Sequence, residues 1–101
     1  MIVKLPIEIS NIQEPDRRTG VIEVIADTGS VYCWIPKDEL EKIGILVKGK
    51  RLFRTKSGER VERTFGYARF TYDGVSGGSE VVFAEPNDGN ILGALAMEGM
   101  G

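Results

Sequence analysis

The chain has 101 residues, of which 42% are hydrophobic and 28% are charged, and its net charge is −2 at pH 7. These values predict one globular domain, residues 1–101, and argue against a general nucleic-acid or membrane-surface binder. Histidine is absent and Cys33 is the one cysteine, so Ser-His-Asp and Cys-His catalysis are excluded, and we expect no internal disulfide, metal or cofactor. The sequence has neither a signal-peptide core nor an apolar run that could span a bilayer, so a soluble, cytoplasmic protein without membrane contact is expected.

Short strands dominate the first half of the sequence. Alternating apolar residues predict a strand over residues 2–9, and a polar loop over 11–20 then leads into the apolar run 21–26. The β-branched and aromatic residues at 31–35 predict a third strand. Residues 36–44 have a proline first, acids in the first turn and a glycine last, which predicts a short helix with Leu40 and Ile43 on its buried edge.

The second half is also rich in strands. Residues 52–65 are expected to form a hairpin that turns at Ser57 and Gly58. Its arms carry charges on both faces, so we expect it to project from the body instead of lying on the core. Strands are predicted over residues 67–72 and 80–84 with a turn over 73–78 between them, followed by a polar loop over 85–90. The apolar tripeptide 91–93 then precedes a helical segment over 94–98. About seven strands and two short helices predict an all-β barrel or sandwich.

The tetrapeptide Asp27-Thr28-Gly29-Ser30 ends the apolar run and occurs once in the chain. A carboxylate at the point where a buried strand breaks into a tight turn is a candidate for acid–base chemistry. The structural alternative is an Asp that caps its own turn through side-chain hydrogen bonds. If Asp27 acts together with a second carboxylate across a shared water, that partner must come from another copy of the chain.

The order of these motifs resembles that of the retropepsin-like aspartic proteases, the single-domain relatives of pepsin. The resemblance covers nearly the whole chain. It includes the strand that runs into Asp27, the segment 34–36 with its helix, the charged hairpin, and Ile91-Leu92-Gly93 before the last helix. It implies a closed acid-protease-type β-barrel lobe with one or two short helices and a projecting flap hairpin, forming half of a dimeric enzyme.

The resemblance also implies a function. It implies an aspartic endopeptidase in which Asp27 of each subunit of a homodimer belongs to a carboxylate pair that activates a water and hydrolyses a peptide bond. Around it, Thr28 would bond across the dimer, the Gly29 amide would face the carboxylate, and Ser30 would donate to the outer carboxylate oxygen. The implied flap over an extended peptide or protein substrate comprises Thr55, Lys56, Ser57 and Gly58, and the implied site wall comprises Ile91, Leu92 and Gly93.

Two other interpretations of the chain compete with the enzyme. One is a non-catalytic dimeric module of the same fold that binds a peptide or only dimerises. The other uses the basic hairpin to contact nucleic acid, but that surface lacks interleaved aromatic residues and the chain is slightly acidic, so no nucleic-acid partner is expected. The hairpin cations either favour acidic residues in the substrate or form a solvated face.

Overall fold

A computed structural model describes residues 2–55 and 57–101. In chain order its elements are β1 (Val3–Ser10), β2 (Arg18–Ala26), β3 (Cys33–Pro36), α1 (Lys37–Lys42), β4 (Gly49–Arg54), β5 (Arg60–Tyr72), β6 (Val75–Ala84), β7 (Ile91–Leu92) and α2 (Ala94–Gly99). In this part of the chain, no helix has the length and apolar character needed to cross a membrane.

Six strands form a ring around the core. They follow the order β1-β2-β7-β3-β6-β5, and the ring closes where β5 pairs with β1. The pairs β2–β7 and β3–β6 are parallel among otherwise antiparallel neighbours, and β7 has two residues only. The all-β prediction is therefore confirmed, and the expected closed barrel takes the form of an irregular ring.

The main core fills the inside of this ring. The alternation predicted for the first strand directs Ile7 and Ile9 inward, where both are almost completely buried. Leu40 and Ile43 are buried too, as predicted for the apolar edge of α1. A second, smaller apolar cluster lies beneath the β4–β5 hairpin and comprises Trp34, Phe53, Val82, Ala84 and Ile91.

The turn between β5 and β6 is shorter than predicted. Asp73 and Gly74 both have positive φ angles, 49° and 80°, which is the combination that a two-residue type I′ hairpin requires. The strand β6 therefore begins at Val75 and not at residue 80. Gly77 lies inside β6 because α2 packs against it: a Cβ at Gly77 would lie 2.6 Å from the carbonyl oxygen of Gly99.

The β4–β5 hairpin extends from the ring, as predicted, but it has one apolar face. Phe53 and Val61 are cross-strand partners. Phe53 is 5% exposed, and its ring packs edge-on against Trp34 at 5.8 Å between centroids. The expectation that both faces of the hairpin would be polar is wrong, because the aromatic side chain occupies the face that the charge pattern suggested was solvated.

Candidate active site

Asp27 lies directly after β2, beside the end of β7. Its backbone N–H donates to the carbonyl oxygen of Leu92 at 3.0 Å, and its own carbonyl accepts the N–H of Ser30 at 3.1 Å. The side chain is held by the Gly29 amide, which donates to Oδ1 at 2.9 Å, as predicted. Within the described residues, Oδ2 receives no hydrogen bond. One oxygen therefore orients the carboxylate, in the manner of an Asx turn, and the other can receive a water or face a second carboxylate.

The neighbours of Asp27 in the turn have different surroundings. Thr28 and Gly29 are exposed, and a Cβ at Gly29 would lie 3.1 Å from Asp27 Oδ1, which favours glycine beside the carboxylate. The Ser30 hydroxyl donates to the carbonyl oxygen of Tyr32 at 2.8 Å. A hydroxyl has a single hydrogen to donate, so the predicted bond from Ser30 to the carboxylate is replaced by a bond that shapes the following loop.

The tripeptide Ile91-Leu92-Gly93 supports the site in three different ways. Ile91 lines the cleft above Asp27. Leu92 is fully buried in the core, and its carbonyl oxygen fixes the backbone of Asp27. Gly93 allows close approach of two backbones, because a Cβ there would lie 2.4 Å from the carbonyl oxygen of Tyr32. The expected wall is thus formed by Ile91, with the other two residues behind it.

Asp27 opens onto a cleft of about 330 Å³. Trp34 from β3, Arg54 from the hairpin and Asp88 from the loop between β6 and β7 line it. Sequence reasoning assigned neither Trp34 nor Asp88 to the site, and it considered Arg54 only as one of the hairpin cations. The complete lining is Asp27, Gly29, Ser30, Trp34, Arg54, Thr55, Asp88 and Ile91. Only the position of Asp88, in a polar loop just before the Ile-Leu-Gly motif, could have suggested its involvement.

Two of the four predicted flap residues lie at this cleft or at the groove beside it. Thr55 lines the cleft, and Ser57 lines an adjoining groove that also includes Asp88. The hairpin loop is closed by the Thr55 amide, which donates to the Glu59 carbonyl oxygen at 2.8 Å, and by the Gly58 amide, which donates to the Thr55 carbonyl oxygen at 2.9 Å. Gly58 has φ of 87°, where glycine is favoured. Lys56 lies outside the described residues.

A partly buried ion pair joins the hairpin to the β6–β7 loop. Arg63 Nε and Nη2 donate to the two carboxylate oxygens of Asp88 at 2.7 and 3.0 Å, and the Asp88 side chain is 7% exposed. Burial alone would raise the pKa of Asp88. The bonds from Arg63 and the Glu85 amide, with the attraction of the Arg63 charge, outweigh that effect and hold the pKa below its usual value. Asp88 therefore faces the cleft as an ionised carboxylate whose charge is compensated by Arg63.

The remaining candidates for chemistry near the site are inert. Cys33 is fully buried. Burial raises the pKa of its thiol to about 11, although the Gly93 amide donates to Sγ at 3.3 Å and acts in the opposite direction. Over residues 2–55 and 57–101, no three His, Cys, Asp or Glu side chains are grouped so that they could hold a metal ion. Asp27 is thus the carboxylate of the cleft that has no cationic partner among the described residues.

Comparison with known proteins supports the fold that these features build. No protein-family model matches the sequence, and no curated protein matches it. Among solved structures, the chain is similar to the solution structure of the simian foamy virus (mac) protease, with a TM-score of 0.58 and 21% sequence identity over 95% of this chain and 92% of that chain. The chain has a retropepsin-like fold. The resemblance inferred from the motifs is confirmed at the level of the fold.

Proposed function

We propose that the chain is one subunit of a homodimeric aspartic endopeptidase whose catalytic group is the pair formed by Asp27 of each subunit. The observation that carries the proposal is the position of Asp27. It lies at a strand end in a cleft, with Oδ1 held by the Gly29 amide and with no bond to Oδ2 within the described residues, in a fold shared with a viral protease. The rest of the proposal is physical chemistry applied to that position.

Two carboxylates that meet across a two-fold axis cannot both be ionised at low cost, so the pair holds one proton. The ionised Asp27 accepts a proton from the shared water, and the protonated Asp27 of the second copy donates its proton to the carbonyl oxygen of the scissile bond. The water oxygen attacks the carbonyl carbon. The C–N bond of the resulting diol then breaks as the amide nitrogen takes a proton from the carboxyl group that the water had protonated, while one diol hydroxyl gives its proton to the other carboxylate. Two shorter peptides leave, and the pair again holds one proton.

The requirement for two copies is supported by the surface around Asp27. The chain contains a single Asp-Thr-Gly, so one subunit holds half of the pair. Val31 and Leu95 are 53% and 43% exposed, and they are neighbours because the Leu95 amide donates to the Val31 carbonyl oxygen at 3.2 Å. Association of a second copy at this surface would bury apolar area next to the Asp27 turn and would complete the site.

The substrate that suits this cleft is an extended peptide. The β4–β5 hairpin carries Thr55, which lines the cleft together with Asp27, and we assign the hairpin the role of a flap that closes over the substrate. An extended peptide beneath a hairpin can form backbone hydrogen bonds as an added strand would. Trp34 and Ile91 give the cleft apolar walls, which exclude water and strengthen the electrostatic interactions of the carboxylates.

Mixing subunits tests the shared site directly. The Asp27→Asn subunit should fold and dimerise, and after equal amounts of it exchange with the unmutated subunit, about one quarter of the dimers keep both carboxylates. Cleavage of a peptide library should therefore fall to about half of what simple dilution of active subunits would leave. Asp16→Asn, which changes an exposed loop carboxylate, is the matched control and should leave the rate unchanged.

The outcomes separate the enzyme from the alternative module. Cleavage that is blocked by a statine-type inhibitor and lost on mixing supports the shared pair. Activity in a strict monomer, established by sedimentation equilibrium, would refute it. A folded dimer that binds library peptides and leaves every one uncut would indicate the non-catalytic peptide-binding module instead.

A further inference from the structure

Two arginines face each other at the base of the β4–β5 hairpin. Arg51 on β4 and Arg63 on β5 are direct cross-strand partners, an arrangement in which like charges destabilise a sheet unless each is neutralised. Each arginine has its own carboxylate. Arg51 Nη2 donates to Glu80 at 2.9 Å, whereas Arg63 makes the two bonds to Asp88 described above. The base of the hairpin is therefore fastened to β6 on one side and to the β6–β7 loop on the other.

The Arg51–Glu80 and Arg63–Asp88 ion pairs differ in the segments that they join to the hairpin. The guanidinium of Arg51 lies 3.9 Å from the centroid of the Phe65 ring, and its partner Glu80 belongs to a long, well-paired strand. Asp88 belongs to a loop, and its Oδ2 also accepts the Glu85 amide at 2.8 Å, which closes that loop on itself. The Asp88 amide also donates to the Glu85 carbonyl oxygen at 2.9 Å, so this turn of the loop has a fixed internal shape. The contact of Arg63 joins this preformed turn to the hairpin.

Asp88 connects the Arg63–Asp88 ion pair to the cleft. Its side chain lines the cleft that contains Asp27, together with Arg54 and Thr55 from the hairpin. Arg63 does not line that cleft; it lies in the adjoining groove. Arg63 therefore reaches the cleft that contains Asp27 through Asp88, and the distance between the loop and the hairpin is the property that this contact controls.

We propose that Arg63 is a positioning residue: through Asp88 it fixes the β6–β7 loop against the flap hairpin and so sets the width of the cleft that receives the substrate. The inference rests on the proposed function, since it assigns a role in substrate binding. Because the contact is bidentate and the Asp88 carboxylate is 7% exposed, removing either partner loses both charge-assisted bonds, and the loop and the hairpin then separate.

The chain provides its own reporter of this separation. Trp34 is the single tryptophan. It lines the cleft and contacts Phe53 of the hairpin, so its fluorescence, excited at 295 nm, responds to movement of the hairpin without any substrate. The test compares Arg63→Gln, Asp88→Asn, the double variant and Arg63→Lys.

A matched control lies on the same two strands. Lys50 and Glu62 form an ion pair at 3.7 Å, with side chains 61% and 62% exposed, and exposed pairs of this kind contribute little. Glu62→Gln therefore removes a charge next to Arg63 without touching the cleft. It should leave both the Trp34 emission and the kinetic constants as they are.

We expect Arg63→Gln and Asp88→Asn each to lower kcat/KM by on the order of 10–100-fold, as displacements of about 1 Å do, with KM bearing the larger share. Each should also shift the Trp34 emission to longer wavelength. The double variant should be no worse than either single variant, because both remove the same contact. Arg63→Lys keeps the charge and loses the two-point geometry, so it should lie between Arg63→Gln and the unmutated chain.

The results that overturn the proposal are equally definite. Arg63→Gln with unchanged KM and unchanged Trp34 emission would refute it, and so would a loss confined to kcat or an additive double variant. If the unmutated chain cleaves nothing, the proposed function fails, and the emission measured without substrate still decides whether Arg63 holds the cleft. If Arg63→Gln does not fold, Asp88→Asn replaces it, because an asparagine can still accept the Glu85 amide.

Discussion

Gly93→Ala is the substitution whose effect follows most directly from the structure. Gly93 precedes α2 with φ of −93° and ψ of 175°, a conformation that any residue adopts, so only space opposes a side chain there. A Cβ would lie 2.4 Å from the Tyr32 carbonyl oxygen and 2.8 Å from that of Val31. Both are backbone atoms, which cannot rotate away, and the two segments must separate by about 1 Å to restore ordinary contact.

The free energy of this separation has two parts. Overpacking of a well-packed site destabilises by about 1–3 kcal/mol. The displacement also stretches the hydrogen bonds that join α2 to the loop after Asp27, chiefly from the Ala94 amide to the Ser30 carbonyl oxygen at 2.8 Å, with about 1 kcal/mol for each bond. A total of about 2–4 kcal/mol corresponds to a fall in Tm of roughly 10–25 °C for a domain of this size.

Thermal unfolding followed by circular dichroism measures this effect, and Gly78→Ala is its control. Gly78 lies in β6, and a Cβ there would meet its nearest atoms at 3.7 and 3.8 Å, which is ordinary contact, so the change in stability should stay within about 1 kcal/mol. Peptide cleavage by Gly93→Ala should fall as well, because Tyr32 positions Ser30. A Tm within about 3 °C of that of the unmutated chain would show that the two backbones move apart at little cost. An equal fall in Tm in Gly78→Ala would show that the loss does not come from the close contact at Gly93.

Three further results are expected. Asp27→Asn should keep the fold and lower kcat by on the order of 10³-fold or more, and retained cleavage would mean that another residue is catalytic. Thermal melts at two protein concentrations should show a dimer at least as stable as that of the unmutated chain, because like-charge repulsion is removed. Asp88→Asn should destabilise the chain by about 1–3 kcal/mol at pH 6. The pKa of Asp88 is lowered in the folded state, so its contribution to stability is present above about pH 4 and is lost as the pH falls through the folded pKa. In urea unfolding, the difference in stability between the variant and the unmutated chain should therefore be smaller at pH 3 than at pH 6. An equal difference at both pH values would contradict the ion pair. Cys33, with its pKa raised to about 11 and its side chain buried, should resist iodoacetamide at pH 8 until urea unfolds the chain, and rapid labelling of the folded chain would contradict its burial.

The hairpin shows where sequence reasoning stopped being sufficient. Ser57-Gly58 correctly located its turn, and β4 lies at the end of the strand order, outside the six-strand ring. The charge pattern did not show that Phe53 packs on Trp34. These residues are distant in the chain, and Leu52 and Phe53 are adjacent apolar residues, so alternation alone could not decide which of the two is buried.

The local structure could be predicted from the sequence alone. The sequence indicated the turn after β2 that carries Asp27, the short helix with Leu40 buried, and the Ile-Leu-Gly motif. Each of these depends on the φ preferences and apolar spacing of residues that are close together in the chain. The tertiary structure alone decided which groups share the cleft. It brought Asp88 to Arg63 across 25 positions and turned the Ser30 hydroxyl towards Tyr32. Such contacts depend on how the ring closes, because a side chain's partner is set by the distance between strands that meet only after folding.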